Sequence, residues 1–262
     1  MHRFYLTIDE LKNGCLLSEE FLHATQVLRI KENSDFIGFC GDNYDYLCNI
    51  TKIEKKKLFF EVKEKTINIA NPQLELTLFQ GLAKGEKLEL ITQKLTEIGA
   101  SKIVPVYFKN CDVKFDSSKP NRLNKITINA CKQCGRSKPI IIENTIKIEG
   151  LIKTINSFDY VFFAYEKETE NNLNTYIEKI KNDLKNNINF NLKDRSKSLK
   201  IAIIIGPEGG FTAQEAELLI NNQALSISLG KRILRTETAA IYLSSILIGE
   251  LETYGKNLQN KQ

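Results

Sequence analysis

Residues Ile201–Leu219 read "IAIIIGPEGGFTAQEAELL". Five apolar residues run straight into Gly206, two more glycines follow at Gly209 and Gly210, and a helix-patterned stretch comes next. A buried strand, a glycine turn and a helix make one unit of a parallel α/β sheet, and such a turn often cradles a phosphate. Here the parts for that are missing. A Walker loop ends on a lysine and a hydroxyl, whereas Gly210 is followed by Phe211 and Thr212. A dinucleotide fingerprint spaces its glycines G-x-G-x-x-G, which the run from Gly206 to Gly210 does not match. Pro207 has no N–H to offer an anion, and Glu208 sets a negative charge beside it. Bare backbone of this kind suits a neutral heterocycle, and a carboxylate suits a ligand with a positive centre. The competing reading is a tight turn that holds nothing.

A second stretch bears on that choice. "LGKRILRTETAA", Leu229–Ala240, follows the strand-like "ALSIS". Gly230 again falls where a strand ends. Arg232 and Arg235 come just before a helix that Thr236 is placed to cap, with Glu237 in its first turn. Cations at a helix N-terminus are electrostatically unfavourable, so the two arginines suggest a task such as holding an anionic substrate. Two glycine turns after two strands of one parallel sheet lie on the same sheet edge, where open α/β sheets bind their ligands.

Working outward, "RFYLTI" alternates like a first strand, and "EEFLHATQVLRI" reads as a short helix capped by Ser18. "DFIGFC", "YDYLCNITKI" and "LFFEVKE" follow as strands joined by hairpin turns. This β-rich unit ends near Asn71 and Pro72. Then "LELTLFQGL" reads as a strand, "GEKLELITQKLTEIGA" as a helix leaving at Gly99, and "SKIVPV" as a strand. A longer helix is expected over Arg122–Cys134, strands at "DYVFFAYE", "IAIIIG" and "ALSISL", and a last helix from Thr236. The polar run "KNDLKNNINFNLKDRSKSLK" is expected to be an exposed loop in its middle. The pattern predicts a small β domain, residues 1–70, followed by an α/β domain, residues 73–262, with a mostly parallel sheet.

Composition narrows the class. The chain has 262 residues, 42% hydrophobic and 26% charged, as ordinary globular proteins have. A net charge of +5 permits an anionic partner without demanding one. Arg3, Asp9, Glu10 and Lys12 interrupt any signal-peptide pattern, and no apolar run approaches the ~18–20 residues of a membrane span. The expectation is a cytoplasmic protein, no membrane association, and six free cysteines. Cys131 and Cys134 form one C-x-x-C pair without a second pair or clustered histidines, so no metal is expected.

"GPEGGFTAQE" together with "LGKRILRTETAA" resembles the RsmE family of ribosomal small-subunit RNA uridine N3-methyltransferases, within the SPOUT or α/β-knot superfamily. "RFYL", "HATQVLRIKENSDF", "LFQGLAKGEKLELITQKLTEIGASKIVPV" and "ACKQCGRSKP" fall in the family's order, so the resemblance covers nearly the whole chain. It implies a PUA-like β-barrel that binds RNA and a methyltransferase domain tied into a trefoil knot. It also implies S-adenosyl-L-methionine as cofactor, a homodimer, and as substrate one uridine near the 3′ end of 16S rRNA, in the decoding region of the small ribosomal subunit. The cofactor pocket is implied at Tyr165, Gly206, Pro207, Glu208, Gly209, Gly210, Leu229, Gly230, Ile233, Leu234 and Thr238. Arg3, Arg29, Lys94, Gln133, Arg136 and Arg232 are the implied RNA contacts. The chain departs from the family at Cys131 and Cys134, where small residues are more usual.

Methylation at N3 of a uridine requires the imide proton to leave, and the protein supplies position and electrostatics. Arg235 is the candidate to stabilise charge developing on O2 or O4. Glu208 and Glu237 are the candidate bases, with proton loss to water as the alternative. A related enzyme acting on another rRNA or tRNA target, such as a ribose 2′-OH, is the alternative activity.

Overall fold

The computed structural model describes residues 1–17, 19–113, 119–186 and 198–259. Two compact units form. One comprises Met1–Asn71 with Ile128–Pro139, the other Pro72–Thr127 with Ile140–Gln262.

The first unit is a five-stranded sheet of β1 (Arg3–Tyr5), β2 (Cys15–Leu16), β3 (Asp35–Phe39), β4 (Tyr44–Ile53) and β5 (Leu58–Ile67), in the order β1-β3-β4-β5-β2. Only the β1–β3 pair is parallel. Its core is aromatic: the Phe36 ring meets Phe4 and Phe60 edge-on at 5.3 and 5.4 Å. The strand expected over "RFYLTI" stops early, because Thr7 caps a helix α1 (Ile8–Asn13). The Thr7 side chain accepts from the Glu10 N–H, and the Glu10 carboxylate accepts from the Thr7 N–H. This capping box is spelled out in "TIDE". The next helix is α2 (Glu19–Leu22), continued as a π-turn over His23–Val27. The expected cap, Ser18, lies outside the described residues.

The second unit contains β6 (Glu75–Gly81), α3 (Lys87–Ile98), β7 (Lys102–Tyr107), α4 (Lys119–Cys134, which ends in the first unit), β8 (Ile141–Ile142), β9 (Ile146–Lys147), α5 (Ile148–Thr154), β10 (Tyr160–Ala164), α6 (Leu173–Asn186), β11 (Lys200–Ile205), α7 (Ala213–Asn221), β12 (Leu225–Ile227) and α8 (Thr236–Gln259). Its sheet is wholly parallel, in the order β12-β10-β11-β6-β7-β8, with β9 also pairing β7. The run "IAIII" is apolar throughout because both faces of β11 are covered. Ile201, Ile203 and Ile205 join a core with residues of α3, α6 and α8, while Ala202 and Ile204 join a second core with residues of α5 and α7. On α3, Leu88, Ile91 and Leu95 are buried, and Gly99 ends the helix in the left-handed region.

Short β8 and β9, and the helices α5 and α6, were not apparent in the sequence pattern. The start of the polar run is the end of α6, where Leu184 is buried. The middle of that run, expected as a loop, lies outside the described residues. No helix among the described residues is long and apolar enough to cross a membrane.

Candidate active site

Three neighbouring strands, β12, β10 and β11, end at one cavity of about 370 Å³. Gly206–Glu208 and Gly210 line it after β11, Tyr165 and Glu166 after β10, and Ser228 to Thr236 after β12. The two glycine turns expected on one sheet edge are thus walls of the same cavity.

The first turn is held from several sides. The Gly210 N–H donates to the Pro207 carbonyl at 3.0 Å, closing a four-residue turn, and Gly210 has φ +66°. Asn110 Nδ2 donates to the carbonyls of Gly209 and Gly210 at 3.0 and 3.1 Å. Gly81, at the end of β6, packs so closely that a Cβ there would lie 2.4 Å from the Pro207 nitrogen. Glu208 Oε1 accepts from the Lys84 N–H at 2.8 Å and from Lys87 Nζ at 2.9 Å. Burial alone would raise the Glu208 carboxyl, but these donors outweigh it and hold it below the usual carboxylate range.

The start of α7 is organised by its own side chains. Thr212 and Glu215 form a capping box at the start of α7, and Glu215 Oε1 also accepts from the Lys109 N–H at 2.7 Å.

The second segment is anchored by Thr236. It is the first residue of α8 rather than its cap. Its hydroxyl donates to the Gly206 carbonyl at 2.7 Å and accepts from Gln80 Nε2 at 2.8 Å. Gln80 is fully buried. Arg232 and Arg235 are exposed at the cavity, and among the described residues neither pairs with a carboxylate. Ile233 is 86% exposed at the rim.

Of the residues expected at the pocket, the structure brings together Tyr165, Gly206, Pro207, Glu208, Gly210, Leu229, Gly230, Ile233 and Leu234, with Arg232 and Arg235 beside them. Gly209, Thr238 and Glu237 do not line the cavity. Gly209 is bare for a different reason, since a Cβ there would lie 2.8 Å from Asn110 Cβ. Glu237 is mostly buried, and its Oε2 lies 4.0 Å from Lys87 Nζ.

In the first unit, Arg3 and Arg136 are held inside. Arg3 pairs with Asp45 at 2.7 and 3.1 Å, with its guanidinium over the Phe39 ring. Arg136 is 3% exposed, its Nε donates to Asn71 at 3.2 Å, and its carbonyl accepts from Arg3. Gln133 is exposed, as is Arg29, whose φ of 51° is unusual for a residue with a side chain. Lys94, in the second unit, pairs with Glu97 on its own helix. Burial pushes the Cys131 thiol up to about 12. No cluster of histidine, cysteine or acidic residues that could hold a metal occurs among the described residues.

Sequence reasoning missed Lys87, Glu166, Gln80, Gly81 and Asn110. Glu166 lines the cavity, and among the described residues no hydrogen bond or ion pair engages its carboxylate. It directly follows Tyr165, so its strand-end position was a usable signal. Gly81 ends a strand as Gly206 does. Nothing local marks Lys87 or Asn110.

Comparison with known proteins places this strand-end cavity, with its glycine turn and exposed arginines, in an RNA methyltransferase. The description "RNA methyltransferase domain" matches residues 70–248, and "RNA methyltransferase PUA domain" matches residues 16–63. A ribosomal RNA small subunit methyltransferase E of Rickettsia conorii is 36% identical over 86% of this chain and 85% of its own. The enzyme of that name from Bacillus subtilis is 29% identical, covering 96% of this chain and 98% of its own. The solved structure of a ribosomal RNA small subunit methyltransferase E from Neisseria gonorrhoeae, bound to S-adenosyl methionine, superposes with a TM-score of 0.78 at 27% identity, over 94% of this chain and 96% of that one. The chain belongs to the ribosomal RNA small subunit methyltransferase E family. Its fold is the expected one, an α/β-knot methyltransferase domain preceded by a PUA-like domain.

Proposed function

We propose that this protein transfers a methyl group from S-adenosylmethionine to N3 of one uridine in the decoding region of 16S rRNA, within the small ribosomal subunit, and that it works in the cytoplasm as a homodimer. The observation that carries the reading is the cavity itself, where both glycine turns and the exposed Arg235 meet.

The residues present fit the cofactor. The volume lies in the range of small-molecule sites. The turn offers carbonyls and close backbone, while Pro207 gives it no N–H and Glu208 no positive charge for a phosphate. Glu166 is an uncommitted carboxylate suited to a positive centre or to ribose hydroxyls. Tyr165, Gly206, Pro207, Gly210, Leu229, Gly230 and Leu234 would hold the ligand. When bound, the cofactor supplies a methyl group already activated on a sulfonium.

The chain's own work is then to orient the base and ease loss of the imide proton. Arg235, exposed at the cavity, would stabilise negative charge on a uracil carbonyl oxygen. Glu208 is a poor base in this role. Its Oε1 is already occupied by two donors and its proton affinity is lowered, which fits a part in shaping the turn. Glu237 is away from the cavity lining, so proton loss to water with the anion held by Arg235 is the better reading. Arg232 and Arg29 are exposed and would meet RNA.

The test is to incubate the protein with labelled adenosylmethionine and unmodified small subunits, and to map the product by mass spectrometry. Label on a base N3 in 16S rRNA supports the reading. Label on a ribose or in tRNA overturns the target assignment.

A further inference from the structure

Lys87 is the first residue of α3, where the helix dipole disfavours a cation. Nothing in α3 accounts for it. Its Nζ donates to Glu208 Oε1 at 2.9 Å and lies 4.0 Å from Glu237 Oε2. That oxygen of Glu237 is buried and has no hydrogen-bond partner. Glu208 belongs to the glycine turn and Glu237 to the first turn of α8, so Lys87 reaches both halves of the cavity from a third element. An ammonium carries three donors. A buried carboxylate oxygen without a donor is unfavourable, and a displacement of about 1 Å would bring it within hydrogen-bond range of Lys87.

We propose that Lys87 is a positioning residue that straps the glycine turn to the start of α8, and that its bond to Glu237 forms when the cavity is filled. The inference rests on the reading that the cavity holds adenosylmethionine. A Lys87 that only straps the walls serves any ligand of that shape alike. A Lys87 that touches the ligand would feel the sulfonium charge.

Calorimetric titration with adenosylmethionine and with S-adenosylhomocysteine, whose sulfur is neutral, separates these cases. Lys87→Met is expected to weaken both ligands by the same factor, roughly fivefold or more, and Lys87→Arg to recover most of the loss. Glu237→Gln is expected to weaken both as well, and to add little in the Lys87→Met background. A Lys87→Met protein with a lower thermal midpoint but wild-type affinities would overturn the proposal, since the role would then be structural only. A change confined to one ligand would also overturn it. If the wild-type protein bound neither ligand, the cofactor reading would fall and this proposal with it. Wild-type binding with unaltered Lys87→Met would remove the strap alone.

Discussion

The Thr236 hydroxyl donates to the carbonyl of Gly206 at 2.7 Å, across thirty residues of chain. The same oxygen accepts from Gln80 at 2.8 Å, so the ends of β6 and β11 and the start of α8 meet at one hydroxyl. Thr236→Val keeps the shape and removes both bonds, leaving the buried Gln80 amide with one of its two acceptors, the Gly81 carbonyl. The expected cost is about 1–3 kcal/mol. It is read as a drop in the urea midpoint, accompanied by weaker cofactor binding.

Arg235 is exposed at the cavity and, among the described residues, has no carboxylate partner. Arg235→Ala is expected to slow methyl transfer by about a hundredfold or more. Adenosylmethionine affinity should stay within about twofold, because the pocket's backbone groups are untouched. A methylation rate equal to wild type would remove Arg235 from the chemistry.

Glu168 provides a pH dependence. Its carboxylate accepts from the Ser226 hydroxyl, from the N–H groups of Glu170 and Asn171, and from the Asn171 amide. These bonds, that of Ser226 foremost, lower its pKa from 4.5 to about 2. Because the folded value is depressed, the stabilisation is complete above the unfolded value and is lost as pH falls from 4.5 towards 2. Glu168→Gln should therefore lower stability at pH 7 and flatten this acid limb, measured by denaturant titration at pH 7 and pH 3. An acid limb as steep as that of wild type would contradict this.

The arginines divide by burial. Arg3→Ala and Arg136→Ala each remove a donor from a part-buried partner, Asp45 and Asn71 respectively, and should lower the thermal midpoint. Arg29→Ala and Arg232→Ala should leave that midpoint in place and weaken RNA binding, more at low salt than at high. Filter binding at two salt concentrations, beside a thermal melt, makes the comparison.

The elements with strong periodicity were legible. "IAIII" and the apolar face of α3 announce a strand covered on both sides and a helix packed on one. The short strands β8 and β9 were not, because two residues carry no period. At the site, the strand-end glycines and Arg235 could be read because strand ends share an edge. Lys87 and Asn110 could not, since their partners lie 121 and 99 residues away and only the folded topology joins them. Arg136 shows another limit. A basic residue in a motif invites a nucleic-acid reading, and its burial against Asn71 comes from the fold and not from any local pattern.

Glu215 has a consequence beyond its own helix. Its carboxylate accepts from the Thr212 N–H and from the Lys109 N–H. Asn110, the next residue along, holds the Gly209 and Gly210 carbonyls through its amide. A single side chain outside the cavity thus braces the glycine turn from behind, so that a change at Glu215 would propagate to a wall it does not itself touch.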